Sequence, residues 1–310
     1  MNIVFFGTPE FSAIILEELI KHNFKPVLVV TPPDKPVGRN QTLTPPPTKV
    51  LAEKYVIPVV QPEDIRNWEL EIRNLRPELI IVAAYGPPFL TKGILEIPKY
   101  GCLNVHPSLL PKYRGASPVP HQILAGEKET GATIIRMSEK IDKGDIIGQE
   151  KTEILPTDTA ATLTKKLADL GAKLLVKTIQ PLVEGKIAPK PQSVESPTSY
   201  CRQLKKEDGK IDWQKPADYI ERQIRAFDPW PGVYASFGKK TLKILKARVI
   251  NITDPQRKAG FVFLTGDKKL AVQAAKKSLG IEMLQLEGKK PMAAEEFIRG
   301  HKHIIGQSLE

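Results

Sequence analysis

Asn104 and His106 stand two residues apart in the stretch GCLNVHPSLLPKYRGASP, at the end of a short apolar run. In an extended chain alternate side chains share a face, so an amide donor and an imidazole are offered side by side. Pro107 follows the histidine and biases it toward extended backbone, which puts both groups at the carboxyl end of a strand over Cys102–His106. An amide beside an imidazole suits stabilisation of a developing oxyanion and the movement of a proton. Either residue alone is more often a satisfied histidine or a turn-forming asparagine; with a carboxylate alongside, the pair becomes a site. Asp142 and Asp145, in the segment IDKGD, are the candidates, and a turn role accounts for both on spacing alone. Cys102 shares the face, but four strand residues span about 13 Å, beyond hydrogen-bond reach of His106. It reads as a small core residue and not as a nucleophile.

Positioning such a pair requires a sheet. The first half of the chain alternates short apolar runs with helical patterns, the pattern of a parallel sheet covered on both faces. Asn2–Phe6, Pro26–Val30, Leu79–Ala83 and Cys102–His106 read as buried strands, with a helix over Phe11–His22. Ligands in open α/β sheets bind at the carboxyl ends of the strands. The segment GTPEF after the first strand has one glycine where a dinucleotide fold shows G-x-G-x-x-G, so the sheet is Rossmann-like without a nicotinamide cofactor. Thr130–Met137 and Asp145–Glu153 read as further strands, followed by a long helix from Thr159 to Glu184 with Thr157 or Asp158 as its cap. The stretch GKIAPKPQSVESPTSYCRQL has no apolar periodicity and reads as an extended linker.

The expected division is a catalytic domain over residues 1–189, a linker over 190–204 and a second domain over 205–310. In that last part a helix over Pro216–Arg225 precedes short runs at Val233–Phe237, Thr241–Ala247, Phe261–Leu264, Leu270–Gln273 and Ile281–Leu286. Closely spaced strands with Gly and Asp turns predict a small OB-like β-barrel, a fold that commonly holds single-stranded nucleic acid.

Composition agrees with that division. The 310 residues are 41% hydrophobic, too apolar for a disordered chain, and carry a net charge of +11. Residues 205–310 hold 21 Lys+Arg against 13 Asp+Glu, whereas residues 1–204 hold 25 against 22. A basic last third suits a polyanion, although a solvated lysine-rich surface explains the charge alone. Two cysteines are too few for a disulfide framework or a four-ligand zinc site, so no metal is expected. The first residues lack a basic leader and no run approaches membrane-spanning length; a cytoplasmic monomer is expected, with no membrane partner.

The stretch from Asn104 to Pro118, NVHPSLLPKYRGASP, resembles the signature of folate-dependent formyltransferases, and Asp142–Asp145 resembles that family's D-x-G-D motif. FFGTPEF and PPDKPVGR resemble its opening and the loop after its second strand. KKEDGKIDWQKPADYIERQIRAFDPWPGVY is similar to the start of the C-terminal domain of methionyl-tRNA formyltransferases. The resemblance implies an α/β, Rossmann-like formyltransferase domain followed by the barrel, and a catalytic trio of Asn104, His106 and Asp142, placing Asp142 ahead of Asp145. It implies 10-formyltetrahydrofolate as donor, met by Ser108, Leu109, Leu110 and Pro111, whose leucines offer an apolar wall. It implies initiator methionyl-tRNA as acceptor, met by Arg39 in the loop Thr31–Pro47. Lys205, Lys206, Lys239, Lys240, Lys243 and Lys246 are candidate phosphate contacts in the second domain. Two rivals remain: a formyltransferase for a small amine such as a nucleotide-sugar amine, and a non-catalytic RNA-binding protein.

Overall fold

A computed structural model describes residues 1–38, 41–193 and 199–310. The chain opens with β1 (Ile3–Gly7), α1 (Glu10–Lys21) and β2 (Leu28–Val30), then a hairpin of β3 (Lys35–Val37) and β4 (Thr42–Thr44). Next come α2 (Pro47–Lys54), β5 (Val59–Val60), α3 (Glu69–Asn74), β6 (Leu79–Ala83), α4 (Lys92–Leu95) and β7 (Cys102–His106). They are followed by β8 (Arg114–Gly115), α5 (Pro118–Ala125), β9 (Glu129–Arg136), β10 (Asp145–Glu153), α6 (Ala160–Val183) and β11 (Tyr200–Cys201).

Seven strands form the main sheet in the order β10-β9-β7-β6-β1-β2-β5. The five from β7 to β5 run parallel, β9 runs antiparallel to β7, and β10 runs antiparallel to β9. Strand alternation explains the two cores. Ile3 and Phe5 of β1 face one side with Leu16 and Leu19 of α1 and Leu175 of α6; Val4 and Phe6 face the other with Ile72 and Ile94. Five residues of β6, LIIVA, are buried on both faces, and each large one stabilises the fold by about 1.5–3 kcal/mol. This is the continuous apolar strand that a doubly covered parallel sheet demands.

The single glycine of GTPEF has a packing role. A Cβ on Gly7 would lie 2.6 Å from the Ser12 Cβ. Ser12 Oγ donates to the Ala83 carbonyl and accepts from Thr8 N–H, while Thr8 Oγ1 donates to the Tyr85 carbonyl at 2.8 Å. The end of β1 is thereby tied to the end of β6.

The chain divides into two compact units: one of residues 1–118, 129–153 and 164–201, the other of 119–128, 154–163 and 202–310. Besides residues 202–310, the second therefore takes α5 from Val119 on and the start of α6. Arg222 Nε donates to the Leu124 carbonyl at 3.0 Å and Arg225 Nη1 to the Asp158 carbonyl at 2.9 Å.

The rest of the second unit holds α7 (Ala217–Ala226), β12 (Val233–Phe237), β13 (Lys240–Ile250), β14 (Val262–Leu264), β15 (Leu270–Gln273), β16 (Ser278–Leu286), β17 (Met292–Ala293) and α8 (Ala294–Gly300). Its antiparallel sheet, ordered β12-β13-β16-β15-β14, curls into a half-barrel. Residues 306–310 lie between the two outer strands: Val262 N–H donates to Gln307 O at 2.8 Å, Leu309 N–H to Gly260 O at 2.9 Å, and Glu310 N–H to Ser236 O at 3.2 Å. The edges that would otherwise stay unpaired are covered by this strap.

Candidate active site

On β7, Leu103 and Val105 face the core that includes α1 and α6, and Cys102 packs in the other core. Asn104 and His106 thus fall on the Cys102 face, where β7 emerges from the sheet. Asn104 is half-buried and His106 is only 4% exposed. His106 Nε2 lies 2.9 Å from the Tyr113 carbonyl oxygen. A carbonyl only accepts, so Nε2 carries the hydrogen and Nδ1 is the ring atom left facing the site.

Asp142 meets both. Its Oδ1 lies 3.5 Å from Asn104 Nδ2 and 3.6 Å from His106 Nδ1, and its Oδ2 accepts from Gly115 N–H at 2.8 Å. One carboxylate oxygen is therefore fixed by the backbone while the other is presented to the pair. The two longer separations are at or beyond the limit of ordinary hydrogen-bond lengths. Asp145, the competing acid, opens β10 opposite Arg136 and stands outside this triangle. Asp142 has a left-handed backbone, φ +52°, a conformation that costs an ordinary residue energy and persists where neighbours enforce it.

The loop after β7 is held by its own polar groups. Ser108 is fully buried, and its hydroxyl donates to Lys112 O at 2.7 Å. Thr133 Oγ1 donates to Ser108 O and accepts from Leu110 N–H; Gln149 Nε2 donates to Leu110 O at 2.8 Å. Leu110 and Pro111 are buried and Leu109 is half-buried. Ser108 therefore shapes the loop, and Leu109 is the member of SLLP with surface left to offer.

Cys102 is a core residue: it is 1% exposed, and burial pushes its thiol up to about 12. Cys201 is raised to about 11, first by burial and then by the Asp142 charge. Tyr85, edge-on to Phe6 with ring centroids 5.2 Å apart, is raised to about 12, chiefly by burial. None of the three is a nucleophile at neutral pH.

Arg39 lies outside the described residues. Lys205, Lys206, Lys239, Lys240, Lys243 and Lys246 are all exposed. Lys239 and Lys240 stand at the β12–β13 turn, and Lys243 points outward between the buried Leu242 and Ile244. Lys246 is paired with Glu282 at 3.1 Å. Among the described residues no cluster of His, Cys, Asp or Glu could hold a metal ion, and no helix is long and apolar enough to cross a membrane. Sequence reading missed Tyr113, Gly115 and Gln192 as partners of the trio. The first two lie inside the YRG motif; nothing in the sequence marks the third.

The family model described as Formyl transferase matches residues 1–179, and that described as Formyl transferase, C-terminal domain, matches residues 203–302. The methionyl-tRNA formyltransferase of Halalkalibacterium halodurans is 44% identical, over 97% of this chain and 95% of its own. That of Bacillus cereus is 41% identical over 100% of this chain and 98% of its own. Among solved structures, the N-formyltransferase of Helicobacter canadensis, complexed with folinic acid and dTDP-3-aminofucose, superposes with a TM-score of 0.67 at 24% identity, covering 91% of this chain and 99% of that one. HypX of Aquifex aeolicus, complexed with tetrahydrofolic acid, does so with 0.65 at 15% identity, covering 99% and 48%.

Proposed function

The chain belongs to the formyl transferase family, and from that premise we propose that it moves the formyl group of 10-formyltetrahydrofolate onto the amino group of methionyl initiator tRNA, yielding N-formylmethionyl-tRNA for translation initiation. The observation that carries the chemistry is the single carboxylate oxygen of Asp142 facing both Asn104 and His106 at the end of β7. The acceptor follows from relatives that match both domains end to end; the sugar-acting neighbours share the fold at lower identity.

The folate donor supplies an activated formyl carbon. Asn104 Nδ2 donates to the formyl oxygen as the amine attacks and negative charge gathers there, the work of an oxyanion hole. His106 Nδ1 has its choice of role set by Tyr113, which holds the other nitrogen: carrying a proton it donates to the same oxygen, and without one it accepts a proton from the amine. Asp142 orients the imidazole or takes the amine proton through water. One C–N bond forms to the acceptor and one breaks to the folate; the proton lost by the amine is balanced by the proton the folate nitrogen gains.

Leu109 and the loop Ser108–Pro111 form the wall for the folate. Residues 1–189 act as the catalytic domain, 190–204 as the linker and 205–310 as the OB-like tRNA-binding domain. There Lys205, Lys206, Lys239, Lys240 and Lys243 meet phosphates, with Arg39 reading the acceptor end from the first domain. The protein works in the cytoplasm as a monomer.

Incubation with 10-formyltetrahydrofolate and charged initiator tRNA, followed by mass analysis of the esterified amino acid, tests the reading. N-formylmethionine on the tRNA is expected. Formylation of a nucleotide-linked amino sugar with none of the tRNA would replace it.

A further inference from the structure

The segment expected to be a linker belongs through Cys201 to the first unit. On its near flank, Gln192 Nε2 donates to Asp142 O at 2.7 Å and to Gly144 O at 2.8 Å, and its Oε1 accepts from Arg114 Nε at 3.1 Å. Arg114 Nε also donates to Asp142 O at 3.2 Å. One side chain thus clamps the turn that carries the acid to the loop that follows β7.

On the far flank, β11 runs parallel to β8, pairing Tyr200 with Arg114 and Cys201 with Gly115. Arg114 N–H donates to Ser199 O at 2.9 Å and Ala116 N–H donates to Cys201 O at 2.9 Å. Successive N–H groups of an extended chain point to opposite edges. With the N–H groups of 114 and 116 turned toward β11, that of Gly115 is turned away from it, and there it donates to Asp142 Oδ2. Gly115 has φ +106°, and a Cβ at this position would run into the Cys201 carbonyl, so only glycine lets β11 approach this closely.

We propose that Gln192 and β11 are the positioning brace for the Asp142 carboxylate: Gln192 holds its main chain in the left-handed turn, and β11 aims the Gly115 N–H that fixes Oδ2. Gln192 touches none of the three reacting side chains and acts through Asp142. The inference rests on the proposed role of Asp142 in formyl transfer. Misplacing a catalytic group by about 1 Å from outside the site can cost roughly 10²-fold in rate, which sets the scale of the effect.

The test substitutes Gln192→Met, of similar length without either amide function, in the full chain. Expected is a fall in kcat of about 10–100-fold, with KM for 10-formyltetrahydrofolate and for charged tRNA within twofold and the melting temperature nearly unchanged. Added to Asp142→Ala, the same substitution should cost nothing further, because the group it positions is gone. An unchanged kcat, a loss carried by KM, or an equal further loss in the Asp142→Ala background would each overturn the brace. Hydrogen exchange at the Gly115 amide gives a readout independent of activity: protection in the wild type should drop in Gln192→Met. A wild-type protein without transferase activity would remove the functional reading, while that exchange measurement would still decide whether Gln192 holds this turn.

Discussion

At the end of β7 three polar side chains sit largely out of water and are held by main-chain groups: His106 by the Tyr113 carbonyl and Asp142 by the Gly115 N–H. On the β12–β13 hairpin Lys239, Lys240 and Lys243 stand in solvent. The first region can exert force only at fixed distances, because a buried donor is worth most where water cannot compete for it. A contact made by the second to phosphates would act through summed charge, tolerate rearrangement and weaken with salt. The proposed chemistry is concentrated where geometry is enforced, and the proposed RNA contacts lie where it is not.

The sharpest break in that comparison comes from the pair His106 and Asp142. His106→Ala and Asp142→Ala should each lower kcat by about 10²–10⁴-fold. If the two work as a unit, the double variant should be little worse than the poorer single one. Losses that multiply would mean that the 3.6 Å separation between them does not close in the reacting complex. Next in size is Asn104→Ala, expected to cost on the order of 10²–10³ in turnover, as for removal of an oxyanion donor. Near-normal turnover would take Asn104 out of the chemistry and leave it as a partner of Asp142.

The lysine face should respond in the opposite way. Lys239→Glu, Lys240→Glu and Lys243→Glu combined should raise KM for tRNA by about tenfold or more at moderate salt, with kcat at saturation nearly kept. The slope of log KM against log salt should flatten by roughly 0.7–0.9 for each phosphate that is no longer neutralised. A fall in kcat with an unaltered salt slope would show that the hairpin positions the acceptor by geometry, and the contrast between the regions would fail.

What could be read in advance follows the same division. Strands β6 and β7 are found at the expected residues because an apolar run buried on two faces writes its own boundaries, and Asn104 and His106 inherit their shared face from period two. Helix α2 is hidden by Pro47, which ends the expected loop Thr31–Pro47, and α5 is not anticipated; both open on a proline, where a missing N–H is harmless. Gln192 could not be found: its bonds to Asp142 and Gly144 join residues about fifty apart, and a glutamine in a Pro- and Ser-rich stretch carries no periodicity. The strap of residues 306–310 escapes for the same reason, being a few residues whose partners are two distant strand edges.

The smallest effect sharpens the comparison by matching Asp142 with another aspartate. Asp208, in the second unit, is held down to about 2 chiefly by its hydrogen bonds with Arg202, whose Nη1 lies 2.7 Å away, and also by the Lys205 N–H. Its unfolded value is about 3.9, so the folded carboxylate binds its proton more weakly than the unfolded one. The stability this supplies is complete above about pH 4–5 and is lost as pH falls toward 2, where the unfolded chain takes up the proton first. Arg202 is 58% exposed, and solvent screening holds the contribution to about 1 kcal/mol or less. Asp208→Asn should therefore unfold slightly earlier in urea than the wild type at pH 6. The gap should narrow between pH 5 and pH 3 and should shrink in 1 M salt, where the Debye length is about 3 Å. A gap that stayed constant with pH and salt would mean that Asp208 is held, like Asp142, by main-chain geometry and not by charge.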